Sequence, residues 1–102
     1  MRTLSRMGEY RDRIYIRKDI ILKLVQYRTL NQTALLSYCG LNLQKHKPIL
    51  DDMESKGLIT KKESFHGRKK IISYSVTVAG IEFCRRILEP YEAMFPRIKR
   101  DV

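Results

Sequence analysis

Between Leu41 and Leu58 the chain reads Leu-Asn-Leu-Gln-Lys-His-Lys-Pro-Ile-Leu-Asp-Asp-Met-Glu-Ser-Lys-Gly-Leu, and this stretch restricts the available folds more than any other. Asn42 suits a helix N-cap, because its side-chain oxygen can accept an orphan backbone N–H of the first turn. Gly57 suits the far end, where a left-handed backbone costs glycine little. At about 100° per residue, Leu43, His46, Leu50 and Met53 share one face, with Ile49 at its border. Gln44, Pro48, Asp51 and Ser55 face the other way, with Lys45 and Lys47 on the flanks. The first half of this helix is basic; the second half carries Asp51, Asp52 and Glu54. The plain reading is a solvated amphipathic helix. A helix that enters a DNA groove by its N-terminal end has the same polarity.

Pro48 disturbs the pattern. It removes one backbone donor and disfavours helical geometry at Lys47. The expectation is one kinked helix; the alternative is a start at Pro48, with Gln44–Lys47 as a separate turn. Either way Gln44, Lys45 and Lys47 stay near the leading edge.

Upstream, Ile16, Ile20, Leu24 and Tyr27 repeat at helical spacing, widened by Ile21 and Val25, and predict a first helix over 14–27. Thr29-Leu30-Asn31 is a break. Asn31 can cap a second helix ending near Tyr38, with Leu30 and Leu35 as a hydrophobic staple and Leu35, Leu36 and Cys39 inward. Gly40 closes it. Helix, turn with glycine, helix is a helix-turn-helix pattern.

Downstream, residues 58–65 read as a strand, His66–Lys70 as a turn with three consecutive cations, and 71–76 as the return strand, where Ile72, Tyr74 and Val76 share a face. The cation run is either a solvated loop or the basic tip of a hairpin that contacts nucleic acid. Thr77 can cap a last helix with two apolar stripes. Ile81, Cys84, Leu88 and Tyr91 form a heptad-like seam; Phe83, Ile87 and Met94 form the second. One stripe can face the core, and the other would be exposed in a monomer, which points to an interface. Pro90 kinks or ends this helix.

The chain has 102 residues, enough for one domain with a small core that dimerisation would help. Charged residues at 31 % and hydrophobic ones at 43 % argue against disorder. A net charge of +10 favours a polyanion: DNA, RNA or an anionic membrane surface. No apolar run approaches the roughly 20 residues of a membrane span, and Arg2 and Arg6 have no apolar stretch behind them, so a signal peptide is not expected. Residues 1–13 read as a basic arm whose Arg11 and Arg13 can lie along phosphates or in a minor groove, or as an ordinary disordered terminus. Residues 96–102 form a basic tail.

Cys39 and Cys84 form no close pair, have no metal-ligand spacing and sit among apolar residues, as small core side chains do. A reducing cytosol is the natural compartment. Enzyme chemistry finds little support. His46 falls on the predicted buried face, His66 sits in the turn, and Asp51 and Asp52 diverge on a helix. No cofactor motif or metal cluster is present.

Three helices, a hairpin with a basic tip and a fourth helix make an α+β, mainly α fold, the winged helix-turn-helix, over 14–95. From Asn31 to Leu88 the sequence resembles the small archaeal-type winged-helix DNA-binding regulators. The residues that carry the resemblance are Leu41-Asn42-Leu43, Ile49-Leu50, Lys56-Gly57-Leu58-Ile59 and Thr77-Val78-Ala79-Gly80. The Lys-Gly-Leu-Ile step recurs across winged helices in general, so it supports the fold more than any subfamily. The resemblance implies Gln44, Lys45 and Lys47 of the third helix in the major groove, and Arg68, Lys69 and Lys70 of the wing on backbone or minor groove. It implies double-stranded DNA as partner, with the chain in the cytoplasm at the nucleoid. A homodimer through Phe83, Ile87, Leu88, Tyr91 and Met94 is expected, although Pro90 disfavours a long coiled coil. Two other functions fit the residues: a low-specificity architectural chromatin protein, and a winged-helix protein-interaction module.

Overall fold

In the computed structural model the described residues are 13–97. The arm of residues 1–12, with Arg11, and the tail of residues 98–102 lie outside them. Helix α1 (Arg13–Tyr27) buries Tyr15, Ile16, Ile20, Ile21 and Leu24. Val25 and Tyr27, expected on its inner face, are exposed. The helix stops there because Arg28 turns left-handed, with φ 70°, and donates its N–H to the Leu24 carbonyl at 2.8 Å. Tyr27 instead stacks on Tyr38, with ring centroids 5.0 Å apart.

Strand β1 (Thr29–Asn31) follows, then α2 (Gln32–Cys39). Asn31 caps α2 as expected, its Oδ1 accepting from Ala34 N at 2.8 Å. Gly40 closes it in the left-handed region, and Leu30 and Leu35 are both buried. Helix α3 (Leu43–Ser55) runs through Pro48 as one element, so the chain does not start a new helix at the proline. Gly57, at φ 75°, then turns the chain into β2 (Ile59–His66), which pairs with β3 (Lys69–Val76).

The expected two-stranded hairpin belongs to a three-stranded antiparallel sheet of order β1-β3-β2. Thr29–Asn31, read from sequence as a break, pairs with Ser73–Ser75 on the far side of β3. Three residues are too few to show an alternating pattern, and Leu30 is the only buried one. The hairpin turn is also tighter than expected. His66 pairs with Lys69, leaving Gly67-Arg68 as the loop, with Gly67 at φ 66°. A positive φ at the first loop residue alone is the pattern of a II′ turn, whose twist matches the flanking strands. Tyr74, 1 % exposed, anchors β3 in the core, and its hydroxyl accepts from Gln32 Nε2 at 3.1 Å.

The C-terminal region is three helical segments in sequence: α4 (Val78–Phe83), a π-helical turn (Cys84–Leu88) and α5 (Glu89–Met94). Backbone angles at the Cys84 and Glu89 junctions are helical, so Pro90 does not end the helix. In a regular helix the Pro90 ring would meet the Arg86 carbonyl. Arg86 lies in the widened turn, where Glu89 N–H reaches back five residues to Cys84 O. Cys84 and Leu88 are buried in the core, whereas Ile87 is 50 % and Met94 72 % exposed. The core-facing stripe is therefore the one through Cys84 and Leu88, though its first member, Ile81, is exposed. Leu88 was expected at a dimer contact; fully buried inside its own protomer, it is unavailable to a second copy.

The end of α5 is tied to α1. Arg97 Nε donates to Glu92 at 2.6 Å and Arg97 NH1 to Asp19 at 3.1 Å, while Lys18 reaches Glu92 at 2.9 Å. The guanidinium also lies 4.8 Å from the centre of the Tyr15 ring, and the Tyr15 hydroxyl donates to the Phe95 carbonyl. Arg97, expected in a basic tail, is part of the fold.

Two tests follow from this packing. A Cβ on Gly80 would sit 2.1 Å from the Leu58 carbonyl oxygen and 2.9 Å from Val76 Cγ2, so Gly80→Ala must move backbone. Urea unfolding is expected to show a loss of about 1–3 kcal/mol despite the better helix propensity of alanine; an unchanged or raised midpoint would show that the helix can shift freely. The Arg97 guanidinium, opposed by partial burial and helped by Lys18, holds the Glu92 carboxyl down to about 2 from its ordinary 4.5. A depressed carboxylate stabilises the fold above its unfolded pKa and loses that contribution as pH falls through the folded one. Stability should therefore drop between about pH 4.5 and 2, and Arg97→Ala should flatten the drop in unfolding curves taken across that window.

Candidate nucleic-acid interface

The leading turn of α3 is built by its cap. Asn42 Oδ1 accepts from Lys45 N at 3.1 Å, and His46 Nδ1 accepts from Asn42 N at 2.9 Å. Two orphan donors at the helix start are thereby satisfied, the second by a side chain one turn on. His46 is half-buried beside its cap rather than in the core face where its spacing placed it. The buried face of α3 is Ile49, Leu50 and Met53. Leu43, expected with them, is 41 % exposed because it precedes the first turn that packs on the core.

Gln44, Lys45, Lys47 and Pro48 are all exposed. Arg13, at the start of α1, lines the same open groove as Asn42, Gln44, Lys45 and Pro48. The structure thus brings Arg13, Gln44 and Lys45 together, although 31 residues separate Arg13 from Gln44 (44 − 13). Lys47 lies on the same helix, but its ammonium donates to Asp51 at 3.0 Å, one turn back. That hydrogen bond, with the Asp51 charge, raises the Lys47 pKa and keeps it cationic.

The second half of α3 is braced from behind. Asp52 Oδ2 accepts from Arg17 of α1 at 2.7 Å and from Lys56 at 2.9 Å. Lys56, then Arg17, hold the Asp52 carboxyl below its ordinary value. The Asp51 and Asp52 carboxylates thus have cationic partners, one on α3 and one linking α3 to α1. Their negative charge is thereby offset by neighbouring cations.

The wing residues stand apart from that groove. Arg68 is in the two-residue turn, while Lys69 and Lys70 lie on β3 rather than in the loop. Side chains alternate across a strand, so Lys69 and Lys70 face opposite ways. Lys69 shares a face with its pair-mate His66 and with Lys62, which pairs with Ser73 four residues along β3. Lys70 lies 3.4 Å from Glu63 on the other face. Lys62 is a cation of the wing that the reading of the loop missed. Its signal was available in the period of two along β2. Among the described residues no group of His, Cys, Asp and Glu is placed to hold a metal ion. Cys39 and Cys84 are both buried, and burial raises the Cys84 pKa, which makes it a poor nucleophile.

No family model and no curated protein matches the chain. Among solved structures it is similar to the crystal structure of overoxidised AbfR bound to DNA, with TM-score 0.63 over 80 % of this chain. It is also similar to reduced AbfR bound to DNA, with TM-score 0.60 over 85 % of this chain. The chain is a winged helix-turn-helix. Sequence identity is 16 % in both cases, so the likeness is one of fold. The chain covers 60 % of each AbfR chain. Among the described residues no helix is long and apolar enough to cross a membrane.

The cap can be tested directly. Asn42→Ala removes the acceptor for Lys45 N, and losses at N-caps are about 1 kcal/mol. Thermal unfolding should fall by about 4–8 °C, and the Lys45 amide should exchange faster with solvent than in the parent; an unaltered exchange rate would mean the turn does not depend on its cap.

Proposed function

We propose that this protein is a DNA-binding transcriptional regulator that acts as a homodimer. The observation that carries the reading is the exposed first turn of α3, where Gln44 and Lys45 share a groove with Arg13 and a capped helix start holds the backbone in place. The fold likeness to DNA-bound AbfR supports the same reading. Gln44 reads adenine, since a glutamine amide pairs in both directions with N6 and N7. Lys45, Lys47 and Arg13 take phosphates, as do Arg68, Lys69 and Lys70 on the wing, and Arg11 extends the contact from the arm. These charges supply most of the affinity and make it strongly salt-dependent.

The dimer contact uses Ile87 and Met94, the exposed apolar residues on the outer face of the last helix, flanked by the half-buried Phe83 and Tyr91. Paired helices of this kind set two α3 helices against a two-fold site. The proposed kinship with small archaeal-type regulators rests on Thr77–Gly80, the opening of the last helix, and such a regulator would work at the nucleoid in the cytoplasm.

The decisive experiment is binding to a pool of random duplexes at two salt concentrations, with selection of the bound fraction. A palindrome with spaced half-sites is expected. Gln44→Ala should relax the selected sequence. Arg68→Ala or Lys69→Ala should weaken every duplex about equally and reduce the salt slope by roughly 0.9 each. Tight, salt-sensitive binding without an enriched sequence would instead make this an architectural DNA-binding protein. No binding at low salt would leave a protein-interaction module that docks through the last helix.

A further inference from the structure

Uncharged side chains occupy the centre of the leading edge of α3. Gln44 and Pro48 are one turn apart on the face opposite Ile49, Leu50 and Met53, and both are exposed. Leu43, in the same first turn, stands about 100° around from Gln44 towards the Leu50 side and does not line the groove that Gln44 and Pro48 share. The cations stand to the sides. Lys45 is about 100° around the helix from Gln44, and the Lys47 ammonium is held by Asp51 at 3.0 Å. A helix that read guanine would present an arginine or lysine head at this centre. Here the head at the centre is an amide, with the Pro48 ring next to it.

Resting on the regulator reading, we infer that Pro48 contacts a thymine 5-methyl group in the major groove beside the adenine taken by Gln44. Each half-site then has an A·T core. The major groove presents the thymine methyl as its one apolar feature, and apolar side chains are its natural partners. The Pro48 ring is solvated in the free protein and would be covered in the complex. That gain exists only where a methyl meets it. Lys45 and Lys47, on opposite flanks of the same turn, reach phosphates instead and hold the apolar centre over the bases.

Deoxyuridine in place of thymidine tests this without altering the protein, since it removes the methyl and keeps every hydrogen-bonding group. The selected duplex is remade with each thymine replaced singly, and Kd is measured at fixed salt. At one or two positions next to a Gln44-dependent adenine, wild-type binding should weaken roughly fourfold, the equivalent of one methyl-sized burial. Pro48→Ala should bind thymine and uracil duplexes equally at the corresponding position. Two results overturn the inference alone: an enriched site indifferent to uracil throughout, or uracil discrimination that survives in Pro48→Ala. Failure to enrich any sequence overturns the regulator reading and this inference together.

Discussion

The carbonyl of Leu58 is the point on which the domain turns. It accepts from Thr77 N at 3.1 Å, it lies 3.0 Å from the Thr77 hydroxyl, and Gly80 passes so close that no side chain fits between. The same hydroxyl reaches the Gly57 carbonyl at 2.6 Å and accepts from Gly80 N at 2.9 Å. One residue thereby closes the start of the last helix onto the exit of α3, across the base of the hairpin. The angle between α3 and the wing depends on that junction, because β2 leaves α3 only through Gly57 and Leu58. The Thr-x-x-Gly pattern thus has a physical content: a cap that spares a donor, and a glycine that admits a backbone.

Charge is distributed to serve two ends. Much of it is consumed internally. Arg17 and Lys56 neutralise Asp52, and Arg97 and Lys18 converge on Glu92, with Lys18 the next residue of α1. These bridges are partly exposed, so each is worth little alone. Their joint effect is positional: three successive residues of α1 tie it to α3 through Arg17 and to the α5 end through Lys18 and Asp19. What is left over is basic, and among the described residues it concentrates on Arg13, Lys45 and the wing. The net charge of +10 is thus a surplus after internal pairing and overstates no single patch.

Much of this architecture was legible in the residues because it is locally encoded. Asn31, Asn42 and Thr77 cap where their side chains allow, and Gly40 and Gly57 take the left-handed positions that few other residues accept. Hydrophobic spacing located α1, α2, α3 and the hairpin. The failures share a cause. β1 is stabilised by pairing with a strand more than 40 residues on, which no local pattern reports. Arg28 adopts a positive φ without being glycine. His46 and Leu43 satisfy the helical period yet sit before the point where α3 meets the core. Periodicity assigns a face, but not where along the helix the core begins.

The sequence by itself determined the order of elements, their caps and turns, the basic surplus and the helix that leads with Gln44 and Lys45. These follow from interactions within a few residues, where side-chain chemistry dictates backbone. Only the tertiary structure decided which stripe of the last helix is core and which is free. Both stripes are equally apolar, and the choice rests on what α1 presents to them. It also decided that the helix survives Pro90 by widening a turn, that Arg97 serves the fold, and that Arg13 joins Gln44 and Lys45. Each depends on two distant segments meeting, and the free energy of that meeting is not written in either segment alone.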